Sequence, residues 1–199
     1  MVVCTEVLTA PEPAPKGIPG FWLQVIKNSA LAQAVEAHDE PLLEHLEDLS
    51  YELLPNNEGY RLVFRFSEND YFTNTELVKT VKVEDMFGEE EIISTQGTTI
   101  DWKPNKNITV QLKSKPAPRR GRGRGGRGGR GASKPVEVPV PSFFRFFEST
   151  PELNLEDTDM DEEDIMALAE QHEMDGQFAT VLREEVIARA AVLFTGEGA

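Results

Sequence analysis

Residues 51–66 read YELLPNNEGYRLVFRF. From Tyr60 on the period is two: Leu62, Phe64 and Phe66 alternate with Arg61, Val63 and Arg65. Such alternation describes a strand with one face buried and the other in water. Tyr51–Leu54 is its partner strand, and Pro55-Asn56-Asn57-Glu58-Gly59 supplies the turn of a hairpin. Outward along the chain, Thr75–Glu84 reads as a third strand. Thr98–Trp102 and Asn107–Lys113 read as a fourth and fifth, joined by Lys103-Pro104-Asn105-Lys106. An antiparallel sheet with one open face follows, and helices should cover the other face.

Toward the N-terminus the period becomes helical. Residues 1–16 carry Pro11, Pro13 and Pro15 and are expected to form a disordered arm. Order begins at Gly17-Ile18-Pro19, with Pro19 suited to a first helical turn. Phe21, Trp22, Val25 and Ile26 then make one apolar face. Ser29–Ala37 is ambiguous; as a short helix it turns Leu31 and Val35 inward. Asp39 caps the next helix, with Pro41 in its first turn. Leu42, Leu43, Leu46 and Leu49 line one face of that helix, and Glu44, Glu47 and Asp48 the other.

Toward the C-terminus, residues 116–140 break the pattern with RRGRGRGGRGGRG. Glycine loses much entropy on ordering and buries nothing, so this reads as a disordered insertion in a loop that closes a long hairpin. A short helix ending at Phe147 follows Pro141-Ser142. Its Phe143, Phe144, Phe146 and Phe147 are expected in the core. Another helix starts at Asp159 or Asp161 and packs through Ile165, Met166, Leu168 and Ala169. Gly176 reads as a break before a last helix with Phe178, Val181, Leu182, Val186, Ala190 and Leu193 on its apolar face and Gly196 as its stop. The fold class is α+β, a single domain over 17–199: short N-terminal helices, an antiparallel β-sheet, and C-terminal helices beneath it.

Charge separates sharply along the chain. The formal net charge is −15. Residues 115–134 hold eight basic and no acidic side chains, which leaves the remainder at −23. Residues 148–175 read ESTPELNLEDTDMDEEDIMALAEQHEMD, without Lys or Arg, between two segments able to bury themselves. A folded body that displays such a field repels phosphate and attracts cationic partners. The residues singled out as the contact set are Asp157, Asp159, Asp161, Glu162, Glu163, Asp164, Glu170, Glu173 and Asp175. Glu44, Glu47, Asp48 and Glu89–Glu91 come second.

Other chemistry fails on spacing. Asp157-x-Asp159-x-Asp161 opens like a calcium loop, but Glu162 and Leu168 stand where Gly and Glu are required. Gly121-x-Gly123-x-x-Gly126 matches a dinucleotide fingerprint by letter, with no strand before it and no helix after it. His38, His45 and His172 lack metal spacing and are expected at the surface. Cys4 is the only cysteine, which excludes an internal disulfide framework. No nucleophile elbow, triad or lysine motif is present, so an enzyme is not expected, and no cofactor is implied. Arg119, Arg120, Arg122, Arg124, Arg127 and Arg130 keep several readings open. They could contact RNA or DNA, serve as an import patch or methylation substrate, or fold back on the acidic body.

Several strings then coincide. GIPGFW (17–22), YRLVFRFSENDYFTNTELVKT (60–80), TTIDWKPNKNITV (98–110), PSFFRFF (141–147) and FTGEG (194–198) occur in one order. In these the chain resembles the nucleosome assembly protein (NAP) family, which includes the SET-type histone chaperones. The resemblance covers nearly everything from Gly17 on except the Arg/Gly tract. It implies an α+β domain whose sheet and underlying helices form an acidic concave face. It also implies binding of core histones of either heterodimer type, nucleosome assembly and disassembly without ATP or cofactor, and residence in nucleus and cytoplasm. Members dimerise through a long helix ahead of the GIPGFW region. Only about sixteen residues precede it here, so either the sequence is truncated at its N-terminus or the usual homodimer does not carry over. The family usually continues past FTGE into an acidic tail, whereas this sequence stops at Ala199, so tail-dependent histone contacts are not expected to carry over; Ala188 stands where relatives commonly have proline.

Overall fold

The computed structural model describes residues 17–86, 89–114, 135–151 and 162–197. Most of the Arg/Gly insertion, including all six of its singled-out arginines, lies outside them, as do the N-terminal arm and Asp157, Asp159 and Asp161.

The decisive hairpin forms as read. β1 (Leu46–Leu53) and β2 (Gly59–Phe66) pair antiparallel, with Leu49 opposite Phe64 and Tyr51 opposite Leu62. Asn56 and Asn57 take positive φ in the turn, the region that asparagine tolerates best after glycine. β3 (Glu76–Met86) and β4 (Glu89–Gly97) complete a four-stranded sheet in the order β1-β2-β3-β4. β5 (Val110–Ser114) and β6 (Pro135–Pro139) form a separate two-stranded ribbon.

Several sequence expectations are corrected here. Leu46 and Leu49 belong to β1, because α2 is a single turn, Glu40–Leu43. Four leucines at near-helical spacing also fit two buried positions of a bulged strand, and the register shift between Leu46 and Asp48 supplies the bulge. β4 was not foreseen, and Thr98–Trp102 is not a strand but a segment touching Phe72 through one bridge at Trp102. β6 takes residues 135–139 out of the expected disordered stretch, and its pairing with β5 agrees with an insertion that closes a hairpin. Pro19 precedes α1 (Phe21–Lys27), which starts after Gly20 at φ 70. Gly176 does not break a helix: α3 runs unbroken from Glu162 to Val181. It passes into a π-helical turn, Leu182–Ile187, and then α4 (Ala190–Thr195), which Gly196 stops at φ 75.

The sheet buries one face under these helices. Tyr60, Leu62, Phe64 and Phe66 of β2 and Leu77 and Val81 of β3 are all buried. Phe143, Phe144, Phe146 and Phe147 lie in a 3-10 turn and are 1–5% exposed, so the block is core as expected. Phe64 meets the rings of Phe143, Phe146 and Phe147 at 5.0–6.4 Å, all edge-on, the arrangement that ring quadrupoles favour. Asp39, fully buried, fixes the entry to this turn. Its carboxylate accepts from Ser142 Oγ at 2.6 Å, Phe143 N at 2.8 Å and Glu36 N at 2.9 Å. The FSENDYF and DWKP strings are tied together in a similar way. Asn69 Oδ1 accepts from the amides of Tyr71 and Phe72, while Lys103 Nζ donates to Asn69 O at 2.6 Å.

Candidate acidic interface

α3 carries the described part of the acidic stretch. Its composition, EEDIMALAEQHEMDGQFATV, is rich in helix formers, and its first turn is acidic, which the helix dipole favours. Leu168, His172, Gly176 and Ala179 recur at intervals of four, four and three, and all are buried. That row faces the sheet. At Gly176 a β-carbon would come within 2.2 Å of Ile92 Cδ1 of β4. Glycine is there to let helix and strand approach closely, a role that sequence patterning confuses with a break.

Asp175 anchors the helix. Its Oδ2 sits 2.6 Å from Lys79 Nζ, and Thr95 and Thr150 donate to the same oxygen at 2.7 and 3.1 Å. Lys79 is fully buried on β3, also donates to Glu148 O at 2.6 Å, and lies 5.1 Å from the centre of the Phe146 ring. Burial holds the Lys79 ammonium below its ordinary pKa, while the hydrogen bond and charge of Asp175 pull it back up. His172, expected at the surface, is 4% exposed, and its Nε2 donates to Pro151 O at 2.7 Å. His45 is half-buried against Ser67, and His38 is exposed.

The opposite face of α3 is open. Glu163, Met166, Ala167, Glu170, Glu173, Met174 and Gln177 are all exposed. At about 100° per residue they fall within an arc of roughly 120°. The whole helix contains no Lys or Arg. Among the described residues, Glu163, Glu170 and Glu173 have no cation within ion-pair distance; Glu173 accepts only from the neutral Gln177 amide at 3.1 Å.

Acids elsewhere are differently placed. On the open face of the sheet, Arg65 bridges Asp48 and Glu76 at 3.2 Å each, and Arg61 pairs with Glu52 at 2.7 Å. Glu148 takes two Arg145 nitrogens at 3.0 and 3.1 Å, which raises the Arg145 pKa. Of the expected contact set, Glu163, Asp164, Glu170 and Glu173 are therefore exposed along α3, and Glu162 opens it. Asp175 is corrected: it points inward and is neutralised by Lys79. Asp48 is likewise paired on the sheet. Glu44 and Glu47 line a shallow groove with Gly17–Gly20 instead, and Glu89–Glu91 begin β4. Lys79, Thr95 and Thr150 were missed. The signal was present in Leu77-x-Lys79-x-Val81, where lysine occupies the parity of the buried side chains.

Among the described residues, no three His, Cys, Asp or Glu side chains are grouped to hold a metal ion, and no helix is long and apolar enough to cross a membrane. What the arrangement offers is a rigid helix with anionic side chains in water.

A sheet backed by C-terminal helices, with Glu163, Glu170 and Glu173 exposed on the first of them, defines an α+β protein with an acidic helix face. The family profile described as Nucleosome assembly protein (NAP) matches residues 5–197, and the chain belongs to that family. It is 39% identical to human (Homo sapiens) nucleosome assembly protein 1-like 4, over 98% of this chain and 53% of that protein. It is 36% identical to Arabidopsis thaliana nucleosome assembly protein 1;1, over 92% of this chain and 47% of the other. The chain thus spans about half the length of the curated relatives it matches. Among solved structures, nucleosome assembly protein 1 from Plasmodium knowlesi superposes with a TM-score of 0.63 at 27% identity, covering 90% of this chain and 68% of that one.

Proposed function

We propose that this protein is a histone chaperone: a non-enzymatic acidic body that binds core histones and hands them to DNA during nucleosome assembly and disassembly. One observation carries the reading beyond family membership. Glu163, Glu170 and Glu173 are exposed on a helix without Lys or Arg, while Asp48, Glu52 and Glu76 on the open sheet face are paired with Arg65 and Arg61. An unpaired carboxylate competes with DNA phosphate for the same lysine and arginine side chains. Contacts of this kind are individually weak and screened by salt, so the load is released when a denser polyanion arrives. The site of action is wherever histones travel, in the cytoplasm and the nucleus.

The test is a salt series. Purified protein is titrated with each natural core-histone heterodimer, by fluorescence or calorimetry, between low and physiological salt. Binding should weaken steadily as salt rises. The triple variant Glu163→Gln, Glu170→Gln, Glu173→Gln should bind about tenfold more weakly at low salt and lose part of the salt slope. Asp48→Asn, on the paired sheet face, should bind like the native chain. Absence of histone binding at low salt would overturn the reading.

A further inference from the structure

The open face of α3 is not purely polar. Met166 is 71% exposed and Met174 59% exposed. They are two helical turns apart on one face, about 12 Å by the helical rise. Ala167 lies beside them, and Glu163, Glu170 and Glu173 alternate with them around the same arc. Met174 and Ala167 also line a groove between α3 and the 3-10 turns at Ala30–Ala34 and Phe143–Phe147, with Phe143, Phe146 and Phe178 on its apolar side and Arg145, held by Glu148, on its polar side. Scattered exposed apolar residues are ordinary. Here two unbranched thioethers, of which Met174 borders that groove, share a helix face with three carboxylates that meet no cation among the described residues. Methionine is flexible and polarizable, and it adapts to differently shaped apolar surfaces. A helix face of this make-up complements an amphipathic basic helix, whose apolar anchors recur every seven or eight residues between lysines and arginines.

We propose that α3 docks the basic partner through a mixed seat, in which Met166, Met174 and the adjoining groove take apolar anchors of an amphipathic basic helix while Glu163, Glu170 and Glu173 take its cations. This rests on the histone reading and names the chemistry of the contact. Two consequences separate it from binding by charge alone. Part of the affinity is insensitive to salt, because apolar burial is not screened. Partners with equal charge but no apolar anchors bind more weakly.

The experiment compares the native chain with Met166→Ser/Met174→Ser, a pair that lies outside the core and whose fold is checked by thermal melting. Each protein is titrated with a core-histone heterodimer and with an oligolysine of matched charge, over a range of salt. The double variant should bind histone about tenfold more weakly at every salt concentration, with the salt slope unchanged, and should bind oligolysine as the native chain does. In parallel, methyl-labelled methionine spectra should show the Met166 and Met174 signals shifting when histone is added. Equal histone affinity of variant and native chain, or methyl signals that stay in place while histone binds, would overturn the mixed seat and leave the chaperone reading standing. Failure of the native chain to bind histone at any salt would overturn both.

Discussion

Lys79 is the residue on which the position of α3 turns. A fully buried ammonium is tolerable only because Asp175, the Glu148 carbonyl and the face of the Phe146 ring surround it. Removing one partner strands the other, so Lys79→Met should lower unfolding free energy by about 3 kcal/mol in urea melts. Lys79→Met combined with Asp175→Asn should recover most of that loss, since the amide oxygen still accepts from Thr95 and Thr150. The pH dependence has a definite sign. The folded chain releases the Lys79 proton below the ordinary value of 10.5, at which the unfolded chain releases it. Between the two values the unfolded state binds more protons, so this lysine's contribution to stability rises with pH. The stability difference between the native chain and Lys79→Met should therefore move toward the native chain as pH climbs toward 10.5. Movement in the opposite direction would mean that Asp175 outweighs desolvation.

Two glycines distinguish the elements. In β4, a β-carbon on Gly97 would meet the Phe147 carbonyl oxygen at 1.8 Å, and backbone cannot step aside. Gly97 is further clamped by Ser149 Oγ, which accepts from its amide at 3.0 Å. Gly97→Ala should cost roughly 3 kcal/mol, read as a large drop in the urea midpoint. In α3, a β-carbon on Gly176 meets only the tip of the Ile92 side chain, which can rotate. There the gain in helix propensity, about 1 kcal/mol, offsets the crowding, and Gly176→Ala should change stability by less than about 1 kcal/mol. Sequence patterning treats both glycines as punctuation. The structure makes both of them close approaches between elements, a role that depends on partners far away in the chain. The same limit explains β1 and β4. Leu46 and Leu49 fit a helix or a bulged strand equally well until β2 is alongside.

For the whole molecule, charge is unevenly distributed. Basic residues concentrated in 115–134 leave a strongly acidic remainder; within it Asp48, Glu52 and Glu76 of the sheet are paired with arginines, whereas Glu163, Glu170 and Glu173 of α3 meet no cation among the described residues. β5 and β6 pair with each other on either side of the Arg/Gly tract. Deleting Gly121–Gly131 should leave the melting temperature within a few degrees and histone binding intact, since shortening a long loop changes closure entropy only slightly. Loss of histone affinity on that deletion would shift the contact to the tract. If the tract contacts RNA, that binding should vanish with it.

By itself the sequence determined that Leu62, Phe64 and Phe66 of β2 lie inside, that the four phenylalanines are core, and that negative charge dominates the body. These properties are local: a period of two or a run of carboxylates is visible without knowing the neighbours. Only the tertiary structure decided which carboxylates keep their charge in water. Asp175 reads like Glu173 in the sequence, yet it meets Lys79 from 96 positions away and is neutralised, while Glu173 faces out. Pairing of that kind is a long-range event, set by how α3 lies across β3 and β4, and no stretch of chain carries it alone.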